Sequence, residues 1–354
     1  MAQPYILINS FDQTLLNPNA RDNCSEPFLL LKDKLNTLGY NLELANHQPI
    51  QDCARILFFN ATIITYWRGI KGFLRRLGIR RNGQRNWLGD ARTSGITDRL
   101  VLFLWEGPAI CPENFESDIY NQFSTIFTWN DAIVDGIRFH KYYLPIPINV
   151  PEVEKVKFSH KKLLVNISYN KFSNYPHELY SERRKAIRYF ERVKPNDFDL
   201  YGFGWDDPAI KMGKRSLLSS SSYDTKPYPS YHGTVKNKWD VLPKYKFSLC
   251  YENNSNQLGW ITEKIFDCIR ADCVPIYWGA PNITDYVDSD AFINRLDFKS
   301  NKELEEYICG ISENEYQHFR DAANTYLASE RFKEFLSPSF VGRIIQVLSL
   351  TDKT

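Results

Sequence analysis

Apolar and polar positions alternate along the first 150 residues in the manner of strands and helices that follow one another. Tyr5–Asn9 is a short apolar run, and the next apolar positions recur at helical spacing between Leu29 and Leu35. Ser25 precedes this second stretch and Gly39 follows it, and these are residue types that begin and end helices. The rhythm predicts a mostly parallel sheet with helices on its faces. Further strands of this sheet are predicted at Asn41–Ala45, Arg55–Phe59, Leu100–Trp105 and Ser124–Trp129.

The proline-rich stretch Leu144–Pro151 interrupts this rhythm, because each proline disfavours helix and removes a hydrogen-bond donor from a strand. A chain of 354 residues also exceeds what one hydrophobic core usually serves. Beyond the interruption, strands are predicted at Lys162–Ile167, Phe198–Gly202, Phe247–Tyr251 and Cys273–Trp278. Helices are predicted at Ser181–Arg192, Lys238–Tyr245 and Ile261–Ala271, and two helical stretches close the chain.

Two α/β domains are therefore expected, one of residues 1–150 and one of residues 151–330. Residues 331–354 are expected to form a C-terminal helix that packs back on the first domain. Ligands of such sheets bind beyond the carboxyl ends of the strands. We therefore expect the chemistry of this protein in the loops that follow Trp105, Ile167 and Tyr251.

The composition is that of a globular protein, with 43% hydrophobic and 24% charged residues. A net charge of +2 gives no overall attraction to nucleic acid, so we expect no nucleic-acid partner. The aromatic content of 15% suits a protein that stacks on bases or sugars, and it suits a β-rich core equally well. Seven cysteines without a C-x-x-C pair argue against a disulfide framework and against a zinc site.

Residues 66–92 form a strongly basic segment, with eight Lys or Arg residues against one Asp. On a helical wheel, Trp67 and Leu74 lie on one side and Arg68 and Lys71 on the other. This pattern is typical of an interfacial helix on an anionic membrane and of a domain helix packed on a sheet, and we favour the second. The first residues lack the features of a signal peptide, and no window reaches about 18 apolar residues. A cytoplasmic protein is expected, with peripheral contact at the membrane surface as the alternative.

The chemically richest segment is residues 245–279. An apolar strand runs into a polar, glycine-containing loop and then into a helix whose first turn holds Glu263 and Lys264. The free N–H groups and positive dipole end of such a turn make it an anion site. Lys264 adds a full charge for a diphosphate, Glu263 can accept hydrogen bonds from ribose hydroxyls, and Gly279 allows a close backbone turn. The segment predicts a nucleotide-diphosphate site, and the alternative is a capped, solvated helix end.

The string YKFSLCYENN, followed by GWITEKIFDCIRADCVPIYWGAPN, is similar to the donor-binding motif of the family-10 α1,3/1,4-fucosyltransferases. The resemblance implies a GT-B fold with two facing Rossmann-like domains that contain parallel sheets. It also implies that the C-terminal domain holds GDP-fucose and that the reaction inverts the anomeric carbon. Asn253, Glu263 and Lys264 match donor-binding residues of the family, and Trp260 stands where the family usually has tyrosine. Further candidates within the motif are Tyr251, Glu252 and Thr262.

A second patch, residues 180–202, resembles the helix and the D-x-[FY]-G strand of the same family. By that spacing Arg184 is the diphosphate-binding arginine, with Arg183 as the alternative one residue away. A guanidinium fork suits a diphosphate because it contacts two oxygens at once; the other interpretation is a solvated basic helix face. Gly202 and Gly204 lack the third glycine of a dinucleotide fingerprint and are expected to make a turn beside the donor base.

A third patch, residues 102–107, is similar to the family strand whose final glutamate is proposed as the catalytic base. By that resemblance Glu106 is the candidate base, and it lies at the carboxyl end of its predicted strand. A hydroxyl nucleophile needs a carboxylate within hydrogen-bond reach to accept its proton. The neighbouring Trp105 would raise the pKa of Glu106 by desolvation.

Metal dependence is not expected, although Asp197 and Asp199 spell the Asp-x-Asp pair of metal-dependent transferases. This pair lies where a strand begins, at the opposite end from the expected chemistry. With Lys264 and an arginine available for the leaving diphosphate, neither a metal nor another cofactor is required.

The resemblance therefore implies an inverting transferase that moves L-fucose from GDP-fucose to a hydroxyl of a glycan acceptor, as in glycan biosynthesis or protein glycosylation. One alternative keeps the fold and uses a different sugar nucleotide, which Trp260 in place of tyrosine would permit. The other is a non-catalytic carbohydrate-binding protein on the same fold.

Overall fold

The computed structural model describes residues 4–10, 14–45, 49–60, 87–206 and 226–351. The chain divides into two compact units. One comprises Met1–Ile148 together with Glu334–Thr354, and the other comprises Asn149–Lys333. Residues 66–86 of the basic segment, with the helix expected there, lie outside the described residues.

Strands and helices alternate in both units, which confirms the α/β class predicted from the hydrophobic pattern. None of the helices described in these ranges combines the length and the apolar character that crossing a membrane requires. The described strands are Tyr5–Asn9 (β1), Asn41–Leu44 (β2), Cys53–Phe59 (β3), Leu100–Phe103 (β4), Thr125–Thr128 (β5), Phe139–Lys141 (β6), Lys162–Ile167 (β7), Phe198–Tyr201 (β8), Tyr245–Tyr251 (β9), Val274–Trp278 (β10) and Ile293–Asn294 (β11). The described α-helices are Glu26–Thr37 (α1), Trp87–Thr93 (α2), Ser117–Tyr120 (α3), Tyr180–Val193 (α4), Glu263–Arg270 (α5), Asn301–Gly310 (α6), Glu313–Leu327 (α7), Glu330–Lys333 (α8) and Ser337–Val347 (α9).

The first unit is built on a six-stranded parallel sheet in the order β2-β1-β3-β4-β5-β6. Aromatic rings stack across its central strands, with the Phe103 ring centroid 4.5 Å from those of both Phe59 and Phe127. Helix α9 packs beside α1, where the Ser337 hydroxyl donates to Glu26 Oε1 at 2.9 Å. This aromatic core supports the loop that follows β4.

The second unit is built on a five-stranded parallel sheet in the order β11-β10-β9-β7-β8. A buried ionic network ties α7 to the loop before β10. In that network Lys161 Nζ lies 2.9 Å from one carboxylate oxygen of Asp272, and Arg320 Nε lies 2.8 Å from the other. Because all the strands are parallel, the loops that follow β7, β8, β9 and β10 leave the sheet at one edge.

The predicted helix Lys238–Tyr245 is wrong. Two 3₁₀ turns, Lys238–Asp240 and Leu242–Lys244, occupy this stretch, and β9 already begins at Tyr245. Pro243 has no backbone donor for a helical hydrogen bond, and the Asn237 side chain accepts from the Trp239 N–H to form a local turn instead.

The end of the chain also differs from the prediction, because four helices, α6 to α9, occupy residues 301–347 instead of two helical stretches. Ser312 caps α7 through a reciprocal bond with Glu315, which separates that helix from α6. Strands β6 and β11 were not predicted, since runs of three and two residues are too short to carry a period.

Candidate functional site

The loop between β9 and α5 is folded around one buried carboxylate. Glu252 follows β9 directly and is fully buried. Its Oε1 accepts from the Thr262 N–H at 2.8 Å and from the Thr262 hydroxyl at 2.9 Å. Thr262 is the N-cap residue of α5, yet its own side chain does not cap the helix. Glu252 therefore fixes the helix start from the end of the neighbouring strand.

Lys264 is held at the same helix start by two carboxylates. Its Nζ lies 3.1 Å from Glu252 Oε2, 2.9 Å from the Thr262 hydroxyl and 3.6 Å from Glu263 Oε1. Burial acts against the charged form of Lys264, but the carboxylates of Glu252 and Glu263 outweigh it and raise its pKa above the ordinary lysine value. The side chain remains 27% exposed. The arrangement presents a permanent, oriented cation at a helix N-terminus, where backbone N–H groups also favour anions.

Gly279 explains why Glu252 fits beneath the loop. The Glu252 N–H donates to the Trp278 carbonyl at 2.8 Å, which brings the residue after β9 against the residue after β10. A Cβ atom at Gly279 would lie 2.5 Å from Glu252 Cγ and 2.4 Å from the Tyr277 hydroxyl oxygen. Neither distance is compatible with a side chain, so glycine is required for this packing.

The two candidate arginines on α4 have different environments. Arg183 is buried, and its Nη2 donates to the carbonyl oxygens of Tyr251 and Glu252, the latter at 3.2 Å. Arg184 is partly exposed, and its Nη1 donates to the Lys171 carbonyl at 2.7 Å. Arg183 thus anchors the end of β9, whereas Arg184 lies beside the loop that follows β7.

The remaining candidates of the motif differ in exposure. Tyr251 and Trp260 are buried, and the Tyr277 hydroxyl donates to the Trp260 carbonyl at 3.4 Å. Asn253 is half-buried and is fixed through its carbonyl, which accepts from the Leu179 N–H at 3.0 Å. Glu263 is the most open of the set, with 52% of its side chain exposed.

Gly202 occupies the turn after β8 with a φ of 124°, a conformation that favours glycine. A Cβ atom there would lie 1.9 Å from the Ser168 carbonyl oxygen. The loops after β7 and β8 are therefore in direct contact at the same edge of the sheet as the α5 helix start.

Glu106, in the first unit, is positioned by two asparagines that sequence reasoning missed. Its N–H donates to Asn60 Oδ1 at 2.7 Å, and its carbonyl accepts from Asn114 Nδ2 at 3.0 Å. Asn114 also donates to Asn60 Oδ1 at 2.7 Å, and Asn60 has a φ of 76° directly after β3. The position of Asn60 at the carboxyl end of a strand was the sequence feature that could have identified it.

Two aromatic residues, Trp105 and Tyr142, lie near Glu106. Trp105 packs into the core, with its ring centroid 6.1 Å from Tyr142 and 6.0 Å from Phe340. Tyr142 is fully buried and donates to the Leu104 carbonyl at 3.0 Å. Burial raises the pKa of Tyr142 well above its ordinary value, and the nearby Glu106 carboxylate raises it further.

Asp199 of the Asp-x-Asp pair is engaged in a polar cluster near the start of β8. Lys162 Nζ and His232 Nε2 lie 2.7 and 2.8 Å from its carboxylate oxygens, and the Tyr245 hydroxyl donates to it. In the ranges that the structure covers, no three His, Cys, Asp or Glu residues are grouped so as to hold a metal ion.

Comparison with known proteins relates the second unit to one enzyme family. Residues 222–334 match the family model described as glycosyltransferase family 10 (fucosyltransferase) C-term. The alpha-(1,3)-fucosyltransferase FucT of Helicobacter pylori is 43% identical over 74 residues, which are 21% of this chain and 15% of that protein. The 4-galactosyl-N-acetylglucosaminide 3-alpha-L-fucosyltransferase FUT5 of Gorilla gorilla gorilla is 36% identical over 156 residues, 43% of this chain and 33% of that protein. These matches confirm the predicted resemblance, although the chain spans a third or less of the length of either relative.

Solved structures show the same architecture. A crystal structure of an alpha1,3-fucosyltransferase has a TM-score of 0.52 at 16% identity, covering 98% of this chain and 91% of that one. The same kind of enzyme with GDP-fucose gives a TM-score of 0.50 at 15% identity, covering 98% and 90%. The DNA-modifying beta-glucosyltransferase gives 0.53 at 11% identity, covering 98% and 99%. The fold is therefore that of the GT-B glycosyltransferases, as the family resemblance implied.

Proposed function

We propose that this chain, whose second unit carries the family-10 fucosyltransferase domain, transfers L-fucose from GDP-fucose to a hydroxyl group of a glycan. The observation that carries the proposal is the oriented Lys264 ammonium at the N-terminus of α5, fixed there by Glu252. A diphosphate is the donor group that such a site suits, because it needs both charge and N–H donors.

The proposed donor site is the edge of the sheet in residues 151–330, with residues 1–150 as the acceptor-side domain and the C-terminal helix belonging to it. Lys264 and Arg184 would contact the diphosphate, while Asn253 and Glu263 would orient the sugar and the ribose. Arg183 is the weaker candidate for the diphosphate, since its guanidinium already serves two backbone carbonyls.

The proposed reaction is a direct displacement with Glu106 as general base. The acceptor oxygen attacks the anomeric carbon, its proton passes to the Glu106 carboxylate, and the bond to the diphosphate breaks with its electron pair leaving on GDP. A single displacement inverts the anomeric carbon. The developing charge on GDP would be met by Lys264, Arg184 and the α5 dipole. We therefore propose a metal-independent enzyme whose activity persists in excess EDTA.

A related donor remains the second candidate, because Trp260 replaces the family's usual tyrosine and is buried. A cytoplasmic location is part of the proposal. Peripheral membrane contact through residues 66–92 is a separate prediction, which sedimentation with lipid vesicles tests.

Nucleotide binding to the purified protein tests the donor assignment. Calorimetric titration should show that GDP and GDP-fucose bind more tightly than UDP or UDP-glucose. Lys264→Ala and Arg184→Ala should each weaken GDP binding by roughly 1.5–3 kcal/mol, the contribution of a charge-assisted contact. Lys302→Ala, at an exposed lysine on α6, is the matched control and should leave binding unchanged. Preference for uridine nucleotides would refute GDP-fucose as the donor.

A further inference from the structure

Two large aromatic side chains are exposed side by side at the sheet edge that carries the proposed donor site. Tyr169 follows β7 and is 52% exposed, and Phe203 follows β8 and is 50% exposed. Their ring centroids lie 5.6 Å apart, and the ring planes are tilted by 49°. Such a pair leaves apolar surface in water, which points to a ligand with a flat ring.

The loops that carry these rings are tightly fixed. The pairing of β7 with β8 continues beyond both strands, because the Ser168 N–H donates to the Tyr201 carbonyl at 3.0 Å and the Asn170 N–H to the Phe203 carbonyl at 2.9 Å. The Asn170 side chain adds a bond to the Gly204 carbonyl at 2.8 Å. The two rings therefore lie on a preorganised backbone, which lowers the entropic cost of ordering these loops when a ligand binds.

The buried residue Trp205, two positions after Phe203, holds the same backbone. Trp205 Nε1 donates to the Ser168 carbonyl at 2.7 Å, and Gly202 packs against that carbonyl without room for a side chain. The two loops are thus joined by a side-chain bond as well as by their backbone pairing.

The position of the pair suits the base of a nucleotide whose diphosphate lies at α5. In the sheet order, β8 is two strands from β9, which corresponds to about 10 Å at the usual strand spacing. That separation is of the size that a ribose and its phosphate bridge. Arg184 links the two places, because it donates to the Lys171 carbonyl in the loop after β7.

Lys171 favours a purine over a pyrimidine. Its Nζ lies over the Tyr169 ring, 5.3 Å from the ring centroid, so a cation already contacts one ring of the pair. Guanine presents two neighbouring acceptors, N7 and O6, that suit a lysine ammonium. A uracil ring has no N7 and offers a smaller surface for stacking.

We propose that Tyr169 and Phe203 form a stacking platform for the purine base of the sugar nucleotide, with Lys171 facing its acceptor edge. This inference rests on the proposed function, since it takes the diphosphate to lie at Lys264. The tilt of the rings lets a base stack on one face and touch the edge of the other ring.

Calorimetric titration with GDP and with inorganic pyrophosphate tests the platform, because pyrophosphate lacks the base. Tyr169→Ala and Phe203→Ala should each weaken GDP binding about 5- to 150-fold, the effect of losing one base-stacking ring. Pyrophosphate affinity should not change. Phe203→Tyr keeps the ring and should bind GDP nearly as well as the wild type. Tyr307→Ala removes an exposed tyrosine from α6 and is the matched control.

Two results would overturn the platform: GDP affinity unchanged in both alanine variants, or GDP and pyrophosphate weakened in parallel. Failure of the donor assignment has a different signature. The wild type would then bind a uridine nucleotide more tightly than GDP, with the alanine variants weakening the binding of that uridine nucleotide and not of pyrophosphate. In that case the GDP-fucose proposal fails, and the assignment of a purine base fails with it.

Discussion

Replacement of Glu252 by glutamine should loosen the start of α5 from the end of β9. The buried carboxylate accepts from the Thr262 N–H, the Thr262 hydroxyl and Lys264 Nζ, all within 3.1 Å. Glutamine keeps one carbonyl oxygen for these donors, but its NH₂ group turns a donor toward two other donors. The variant therefore removes the negative charge that holds Lys264 while it preserves the shape of the side chain.

The size of the effect follows from the burial of the pair. Removing one partner of a buried ion pair lowers the free energy of unfolding by about 3–5 kcal/mol. Lys264 remains 27% exposed, so water can compensate for part of the loss. We expect roughly 3 kcal/mol, the lower end of that range. Glu263→Gln is the matched control, because this carboxylate is 52% exposed and 3.6 Å from the same ammonium. An exposed pair of that kind contributes about 0–1 kcal/mol.

Urea unfolding followed by tryptophan fluorescence measures both variants against the wild type. Glu252→Gln should shift the unfolding midpoint much further than Glu263→Gln, and it should also weaken GDP binding. Equal, small shifts for the two variants would refute the assignment of Glu252 as the residue that fixes the helix start.

Three further predictions concern the catalytic base, the pH dependence of stability and the need for a metal ion. Glu106→Gln should leave GDP affinity nearly unchanged and lower turnover about 10²- to 10⁴-fold, whereas Glu113→Gln in the same unit should keep near-normal turnover; more than half of the wild-type rate in Glu106→Gln would remove that residue from the mechanism. Burial raises the pKa of Asp267 to about 7 despite Lys238 at 2.7 Å, so the folded state binds a proton that the unfolded chain releases near pH 4. The free energy of unfolding should therefore fall as pH rises from about 4 through about 7, by at most about 1.4 kcal/mol per pH unit. Measured by urea unfolding, the Asp267→Asn variant should lose less of this free energy between pH 5 and pH 8 than the wild type does. Fucosyl transfer should proceed in excess EDTA, and loss of activity that Mn²⁺ restores would contradict this.

Continuous apolar runs were predicted best. Strands Tyr5–Asn9 and Lys162–Ile167 have the bounds that the hydrophobic pattern indicated, because a buried parallel strand carries its signal in every residue. A helix whose first turn holds Glu263 and Lys264 was also predicted, since a strand, a polar loop and an apolar helix succeed one another in the sequence, although its predicted start at Ile261 was two residues too early. The failed helix at Lys238–Tyr245 shows the limit, because one proline and one asparagine side chain redirect the backbone there.

Partners that come from distant parts of the chain could not be predicted. Glu252 lies ten residues before the Thr262 that it holds, and only the return of the loop brings them together. The difference between Arg183 and Arg184 depends on the orientation of one helix turn, which resemblance alone could not fix. Asn60 reaches Glu106 across 46 residues, so no local pattern connects them.

The most direct test of the proposed function is the release of GDP by the purified protein supplied with GDP-fucose and a set of glycan acceptors. GDP-mannose, UDP-glucose and UDP-galactose should be assayed in parallel, with Lys264→Ala as the donor-site variant. We predict that GDP-fucose is consumed, that a glycan hydroxyl accelerates its consumption, and that Lys264→Ala abolishes most of the rate. Turnover of a UDP-sugar with GDP-fucose left intact would contradict the proposed function, and so would a GDP-fucose rate that Lys264→Ala does not change.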